Sequence, residues 1–182
     1  MSRKTLALLI VPFLAALVFV VDQLSKYWVS TELAIGQAWM PLSFLANFVV
    51  VRHVRNSGAA FGMFPAAGNI FLVVAVVVVL GIIRYYYTRA HTAPLWVRLS
   101  LGLMLGGALG NMIDRFRMGF VVDFIDLGWF PVFNVADSSI VVGVTMLAIY
   151  MAYFQAPEPR PAPASETHAA DAVGEPPPAV SQ

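Results

Sequence analysis

The stretch IFLVVAVVVVLGII, residues 70–83, contains no charge and lies in a longer uncharged segment from Phe61 to Ile83. A helix that spans a membrane needs roughly 20 mostly apolar residues. Further uncharged runs lie on both sides of it, at residues 5–21, 99–113 and 138–154. The run at 99–113 is short by itself, but it reaches the required length if it begins near Trp96 and Arg98 extends to the membrane interface. The sequence therefore predicts four transmembrane helices, at about residues 5–28, 66–87, 96–113 and 137–154.

The composition supports a membrane protein and excludes several functions. Of the 182 residues, 59% are hydrophobic and 12% are charged, whereas about a quarter of the residues in soluble domains are charged. The net charge of +1, without a basic and aromatic stripe, gives no reason to expect nucleic acid as a partner. The chain has no cysteine, which excludes disulfides, thiolate metal sites and a cysteine nucleophile.

The chain divides into one membrane domain, residues 1–154, and a tail. The first apolar run follows basic residues, as a signal peptide would, but no small-x-small cleavage site follows it, so we expect it to remain as a helix. Residues 30–65 include SFLANFVVVRHVRN, which predicts a small surface β segment, with Trp28 and Trp39 at headgroup depth. Residues 155–182 are rich in Pro and Ala, which predicts a disordered tail.

Four spans place both termini on the same side of the membrane. With the termini in the cytoplasm, the inner segments carry six lysines and arginines and the outer segments carry five. This difference is small, but the basic start of the first helix favours the same orientation. We therefore expect cytoplasmic termini and a cytoplasmic tail.

The stretch GNMIDRFRMGFVVDFIDLGWFPVFNVAD, residues 110–137, gathers four of the ten acidic residues between the third and fourth predicted helices. Asp123 lies between apolar residues, which predicts a half-buried side chain. Asp126 precedes a Leu-Gly pair and is predicted to be a loop residue. The other two acids, Asp114 and Asp137, lie at the predicted helix ends.

Several polar residues have a structural alternative to a function. Asp22 either pairs with Lys26 at the membrane interface or serves a site. Asn56 is either a turn residue or an amide that reaches a substrate backbone. The third helix also carries a small-residue face, typical of close helix packing. Its members are Gly102, Gly106 and Gly110.

Two pairs of polar residues lie at the helix ends, three positions apart, so that each pair shares a face. Asn111 and Asp114 are either polar residues at the membrane interface, where the third helix ends, or they face the bundle. In the second case Arg115 is the partner of Asp114. Asn134 or Asp137 fits the N-cap of the fourth helix, because either side chain can accept from free backbone N–H groups.

The residues present narrow the possible chemistry. The serines lack an evident histidine base, because His53 and His91 fall in segments predicted on opposite faces of the membrane. No metal-ligand spacing such as HExxH occurs, so we expect neither a metal ion nor a cofactor. Two carboxylates that lie close together cannot both ionise easily, so one keeps a proton while the other activates water. Asp123 and Asp137, from the two ends of one loop, fit that arrangement.

Four motifs in order carry a resemblance to a known family. They are VVDQLSKYW (20–28), RNSGAAFG (55–62), GGALGNMIDR (106–115), and VVDF (121–124) with FNVADSSI (133–140). Over about residues 6–154 the chain resembles the lipoprotein signal peptidase (signal peptidase II) family. The resemblance implies a mainly α membrane protein of the bacterial inner membrane. It further implies four transmembrane helices, a small periplasmic β-cradle between helices 1 and 2, and a site near the outer leaflet.

The resemblance also implies an aspartic endopeptidase with roles for individual residues. Asp123 and Asp137 match the catalytic pair, which favours catalysis over a capping role for Asp137. The implied substrate-binding residues are Asn56, Asn111, Arg115 and Asn134. The implied supporting residues are Asp22, Asp114 and Gly58. The implied substrate is a diacylglyceryl prolipoprotein, cut immediately before its lipidated cysteine by a monomer in membrane lipid, without a metal ion or cofactor.

Two other classes of protein remain open. A small four-helix channel or transporter would spread polar residues along its helix interiors, whereas here they cluster near one end of each helix. A non-catalytic scaffold would tolerate Asn in place of both Asp123 and Asp137.

Overall fold

The computed structural model describes residues 3–40, 48–58, 68–89 and 92–154. In order, the elements are α1 (Arg3–Glu32), β1 (Ala38–Trp39), β2 (Val50–Asn56), α2 (Gly68–Arg89), α3 (Leu95–Met118), β3 (Val121–Asp126) and α4 (Val135–Tyr153). The protein is thus mainly helical, with a small three-stranded antiparallel sheet. The predicted tail at 155–182 and His91 lie outside the described residues.

The four helices of the described chain are each long and apolar enough to cross a membrane. Large apolar side chains point outward, such as Phe13 and Val73, which are 70% and 62% exposed. α3 continues to Met118, past the predicted end near residue 113. Hydropathy alone places the helix end where polar residues begin, but here Asn111 and Asp114 are buried inside the bundle and the helix continues through them.

α3 is the central helix of the bundle. Half of its most apolar stretch is buried, compared with at most 22% of the corresponding stretch in the other three spans. It packs against α1, α2 and α4, while α2 packs chiefly against α3. The predicted small-residue face explains the close approach of α1, because a Cβ at Gly106 would lie 2.6 Å from the carbonyl oxygen of Ala15. Gly107 makes room for α4 in the same way, against the backbone of Ala136.

The sheet has β2 in the middle and combines two distant parts of the chain. β1 and β2 confirm the β structure predicted between the first two helices. β3 pairs with β2 in antiparallel register, from Val50 opposite Asp126 to Asn56 opposite Val121. The sequence did not predict β3, because its two aspartates interrupt an otherwise apolar strand pattern.

Gly119 directs the chain from α3 into β3. Its φ of 78° is the left-handed conformation that glycine adopts without strain, and its N–H donates to the carbonyl oxygen of Arg115. The turn is tight, so β3 begins only two residues later and returns along the end of the bundle. This turn brings Asp123 close to the first turn of α4.

We expect Gly106→Ala to lower the free energy of unfolding by about 1–3 kcal/mol, because the added methyl group would push α1 away from α3. Gly81→Ala in α2 is the matched control, because a Cβ there meets no atom within 4 Å. Thermal and denaturant unfolding in detergent micelles measure both variants. Equal stability of the two variants would show that the close contact between α1 and α3 does not limit stability.

Candidate active site

Asp123 and Asp137 line one cavity at the end of the bundle where the sheet lies. The cavity has a volume of about 480 Å³ and also includes Asn56 and Ser138. The rest of its wall is apolar. These wall residues are Phe130, Pro131, Val132, Phe133, Val141 and Val142. Two carboxylates therefore face an open space that is otherwise apolar.

The first turn of α4 positions Asp137. Asn134 is the N-cap, and its Oδ1 accepts from the backbone N–H of Asp137 at 2.9 Å. Asp137 completes a capping box, because its Oδ2 accepts from the backbone N–H of Asn134 at 3.3 Å. Its Oδ1 accepts from Nδ2 of Asn111 at 2.7 Å. The capping role of Asp137 uses one oxygen only, so it does not exclude the catalytic interpretation.

Asp123 is held on β3 by two amides. Its side chain is 2% exposed, and its Oδ1 and Oδ2 accept from Nδ2 of Asn134 at 2.7 Å and from Nδ2 of Asn56 at 2.8 Å. Asn56 is itself oriented, because its Oδ1 accepts from the backbone N–H of Gly58 at 3.2 Å. Asn56 is the last residue of β2, and its amide contacts the site.

Burial raises the pKa of Asp123 from its ordinary value of 3.8 to about 6. The charge of Asp137 acts in the same direction, while the hydrogen bonds from Asn56 and Asn134 favour the ionised form and lower the pKa. The carboxyl group of Asp123 therefore keeps its proton up to about pH 6.

A buried ion cluster lies behind the pair of aspartates. Lys26 Nζ lies 2.7 Å from Asp22 Oδ2 and 2.8 Å from Asp114 Oδ2. Asp22 and Lys26 form the predicted pair, and they are 0% and 3% exposed, so the pair is buried inside the bundle. Asp114 faces the bundle, yet its partner is Lys26 and not Arg115, which corrects the sequence-based alternative.

Arg115 lies beside the pair without joining the ion pairs of the described residues. The charges of Asp137 and Asp123 act on its guanidinium. Its Cζ lies 5.6 Å from the centre of the Phe71 ring, and Nη1 donates to the carbonyl oxygen of Asn111 at 3.4 Å. Arg115 does not line the cavity of the two aspartates, and the substrate-binding role that the resemblance implies for it stays a prediction.

Asn111 and Asn134 are 6% and 0% exposed and do not line the cavity. They donate hydrogen bonds to the two carboxylates, so this geometry favours a role in positioning Asp123 and Asp137. The substrate-binding role that the resemblance implies for them stays a prediction. Sequence reasoning missed Gln23, whose Nε2 donates to Asp114 Oδ1 at 2.9 Å. The available signal was a polar cluster of Asp22, Gln23 and Lys26 inside an apolar helix.

Asp126 stands apart from the site. It lies three positions from Asp123 on β3, and its Oδ2 accepts from Nε of Arg52 at 2.6 Å. Asp126 is the last residue of β3 and pairs with Val50, so the predicted loop position is wrong. Its Oδ1 accepts from the backbone N–H of Gly128 at 2.8 Å, in the turn that follows the strand. The hydrogen bond from Arg52 lowers the pKa of Asp126.

A larger cavity of about 550 Å³ lies at the opposite end of the bundle, between the end of α2, the start of α3 and the end of α4. It lacks carboxylate and amide side chains, so its size does not make it the chemical site. Among the described residues, no group of three or more His, Asp or Glu side chains is arranged to hold a metal ion.

Comparisons with known proteins identify relatives of this chain. The family model described as Signal peptidase (SPase) II matches residues 14–153. A lipoprotein signal peptidase of Moorella thermoacetica is 47% identical over 138 residues, which cover 75% of this chain and 89% of the relative. One from Syntrophomonas wolfei is 44% identical over 133 residues, covering 73% and 86%. A solved structure of a bacterial membrane enzyme is 31% identical, with a TM-score of 0.69, and the match covers 79% of this chain and 92% of that one.

We expect the stability of the protein to decrease as the pH rises from about 4 to 7, because folding then opposes ionisation of Asp123. The pKa of Asp123 in the folded protein is raised to about 6. The favourable contribution of its protonated carboxyl to the free energy of unfolding is therefore complete near pH 4 and is lost as the pH rises through 6. Asp123→Asn removes this titration. The difference in unfolding free energy between wild type and this variant should therefore fall by about 2–3 kcal/mol over that range.

Denaturant unfolding in detergent at several pH values measures this difference. Asp126→Asn is the matched control on the same strand. Because the pKa of Asp126 is lowered, its contribution to stability is already complete above about pH 4 and is lost only on further acidification. An unchanged difference between wild type and Asp123→Asn from pH 4 to 7 would contradict the raised pKa.

Proposed function

The chain belongs to the signal peptidase II family of aspartic membrane peptidases, and we propose that Asp123 and Asp137 are its catalytic pair. Members of this family cleave the signal peptides of prolipoproteins, and this chain is a bacterial membrane protein of the same kind. The proposal rests chiefly on the shared cavity, in which these two carboxylates lie together within an apolar wall.

The two carboxylates are suited to different roles. Asp123 is almost fully buried, and the raised pKa makes it the carboxyl that carries the proton. A peptide that displaces water from the cavity buries it further and strengthens this tendency. Asp137 is less buried, and it accepts a short hydrogen bond from Asn111 at the start of a helix. The N-terminal end of a helix favours a negative charge, as a general base requires.

In the proposed reaction, the carboxylate of Asp137 takes a proton from a water molecule, whose oxygen attacks the carbonyl carbon of the scissile peptide. Asp123 gives its proton to the carbonyl oxygen, which forms a neutral tetrahedral diol. The diol then returns a proton to Asp123, the carbon–nitrogen bond breaks, and the nitrogen receives the proton that Asp137 took from water. The products are a carboxyl group and an amine, and the pair returns to its starting state.

The substrate we propose is a prolipoprotein that carries diacylglycerol on the cysteine after the cut. The apolar wall of the cavity includes Val141 and Val142 on α4, a surface that suits acyl chains. The amide of Asn56, which lines the cavity, and the cation of Arg115 are proposed to hold the peptide backbone. No metal ion or cofactor takes part in this mechanism, and a single chain in membrane lipid contains all the residues that it uses.

We further propose that the site faces the periplasmic side of the inner membrane. α1 leads into the sheet and α4 begins beside it, so the start of α1 and the end of α4 lie at the opposite end of the bundle. The end of α2 and the start of α3 also lie there, and they carry Arg84, Arg89 and Arg98. Positive residues in short loops favour the cytoplasm.

We expect Asp123→Asn and Asp137→Asn each to lower the rate of cleavage by about 100- to 10,000-fold, because each removes a general acid or base. The assay uses purified protein in detergent and a lipobox peptide with a diacylglyceryl cysteine, and mass spectrometry locates the cut. Wild type should cut immediately before the modified cysteine. Asp126→Asn is the matched control and should retain the wild-type rate.

Thermal unfolding must show that each variant is folded. Cleavage by either Asn variant at the wild-type rate would rule out the pair while keeping the peptidase. A cut at another bond would overturn the proposed cleavage position. Absence of cleavage by folded wild type would exclude the peptidase function under these conditions and favour a channel or a scaffold.

A further inference from the structure

Lys26 is a buried lysine whose role lies outside the reaction steps above. Its ammonium nitrogen lies 2.7 Å from Asp22 Oδ2, 2.8 Å from Asp114 Oδ2 and 2.9 Å from Asn111 Oδ1. A lysine has N–H donors and no acceptor. The contact with Asn111 is a hydrogen bond, and the two contacts with the carboxylates are ion pairs. Since a buried charge without partners is strongly destabilising, this position on α1 requires the surrounding acids.

The two acids are themselves fixed by other elements. Asp22 Oδ1 accepts from the backbone N–H of Ala136 at 2.9 Å, which ties α1 to the first turn of α4. Asp114 Oδ1 accepts from Nε2 of Gln23 at 2.9 Å. Gly110 makes room for this arrangement, because a Cβ there would lie 2.5 Å from Asp22 Oδ2. The ammonium group of Lys26 is therefore held in one place by α1, α3 and α4 together.

The ammonium group determines the orientation of the Asn111 amide. Because Lys26 can only donate, it requires the carbonyl oxygen of Asn111 on its side. The amide nitrogen then faces the other way, where it donates to Asp137 Oδ1 at 2.7 Å. If the amide were rotated by half a turn, an NH₂ group would face the ammonium group and a carbonyl oxygen would face the carboxylate. Both contacts would be repulsive.

We propose that Lys26 is a positioning residue, which acts through Asn111 to hold Asp137 in the geometry that the reaction needs. Asn134 Nδ2 also donates to Asn111 Oδ1, at 3.2 Å, but this is a longer contact with a neutral group. Charge-assisted hydrogen bonds are about twice as strong as neutral ones. Lys26 itself is 3% exposed and does not line the cavity, so it does not touch substrate. This inference rests on the proposed function of Asp137.

A test must separate this role from a general contribution to stability. Lys26→Met alone would leave Asp22 and Asp114 buried without a counter-charge, and such a protein can fail to fold. We therefore pair each substitution with Asp114→Asn. Removal of one positive and one negative charge keeps the net charge of the cluster. The two double variants are Lys26→Met/Asp114→Asn and Lys26→Gln/Asp114→Asn. They differ only at position 26, where Gln can donate a hydrogen bond to Asn111 and Met cannot.

We expect the Met variant to have a kcat about 10- to 100-fold lower than the Gln variant, since misplacement of a reacting group by about 1 Å costs up to that much. KM should agree between the two within about twofold, because the cavity wall is unchanged. Thermal unfolding shows whether both are folded to a similar extent. Equal kcat in the two folded variants, at any level, would overturn the proposal.

Ser25→Ala is the control on the same helix. Its hydroxyl donates to the carbonyl oxygen of Val21 within α1, away from the cluster, so this variant should retain the wild-type kcat. Cleavage by wild type and by this control establishes the peptidase activity independently of Lys26. Absence of cleavage by both would overturn the proposed function, and this inference with it, whereas a loss only in the Met variant supports both.

Discussion

The hydrogen bond from the backbone N–H of Ala136 to the carboxylate of Asp22 connects the parts of this molecule on which the site depends. It joins α1 to the beginning of α4 across the glycines of α3. In an apolar interior, each polar group must find its partner within the protein, because water is not there to supply one. One oxygen of Asp22 accepts from a backbone N–H at the start of α4, and the other forms an ion pair with Lys26. The position of α4, and therefore of Asp137, follows from that double use.

Side chains in the first turn of α4 also serve two purposes each. Asn134 caps the helix with its carbonyl oxygen, and with its amide nitrogen it holds Asp123 on a different element. Asp137 closes the capping box with one oxygen and accepts from Asn111 with the other. Helix capping is a local structural requirement, and here the residues that fulfil it also bring the two carboxylates to one cavity. The helix start and the candidate site are built by the same side chains.

The sequence predicted the helices and the pair of aspartates, but not how the pair is held. Length and hydropathy are enough to identify a membrane span, and the motifs around Asp123 and Asp137 are specific. β3 was missed because its aspartates break the apolar pattern that identifies a strand. The strand is recognised only from its pairing with β2, which lies far away in the sequence. The cluster around Lys26 was missed because spacing along α1 shows an i, i+4 pair with Asp22 but not the third partner, Asp114, which comes from another helix. Contacts between distant segments have no signature in a single sequence.

The loose attachment of α2 has a consequence for how such enzymes diverge. Only 11% of its spanning segment is buried, and it packs chiefly against α3. Of the described side chains on α2, Phe71 approaches the site, where its ring lies against Arg115. Most other positions of α2 need only be apolar and helical to satisfy the membrane. Natural substitutions can therefore accumulate along α2 more freely than along α1 or α3, where one altered residue would disturb the buried ion cluster.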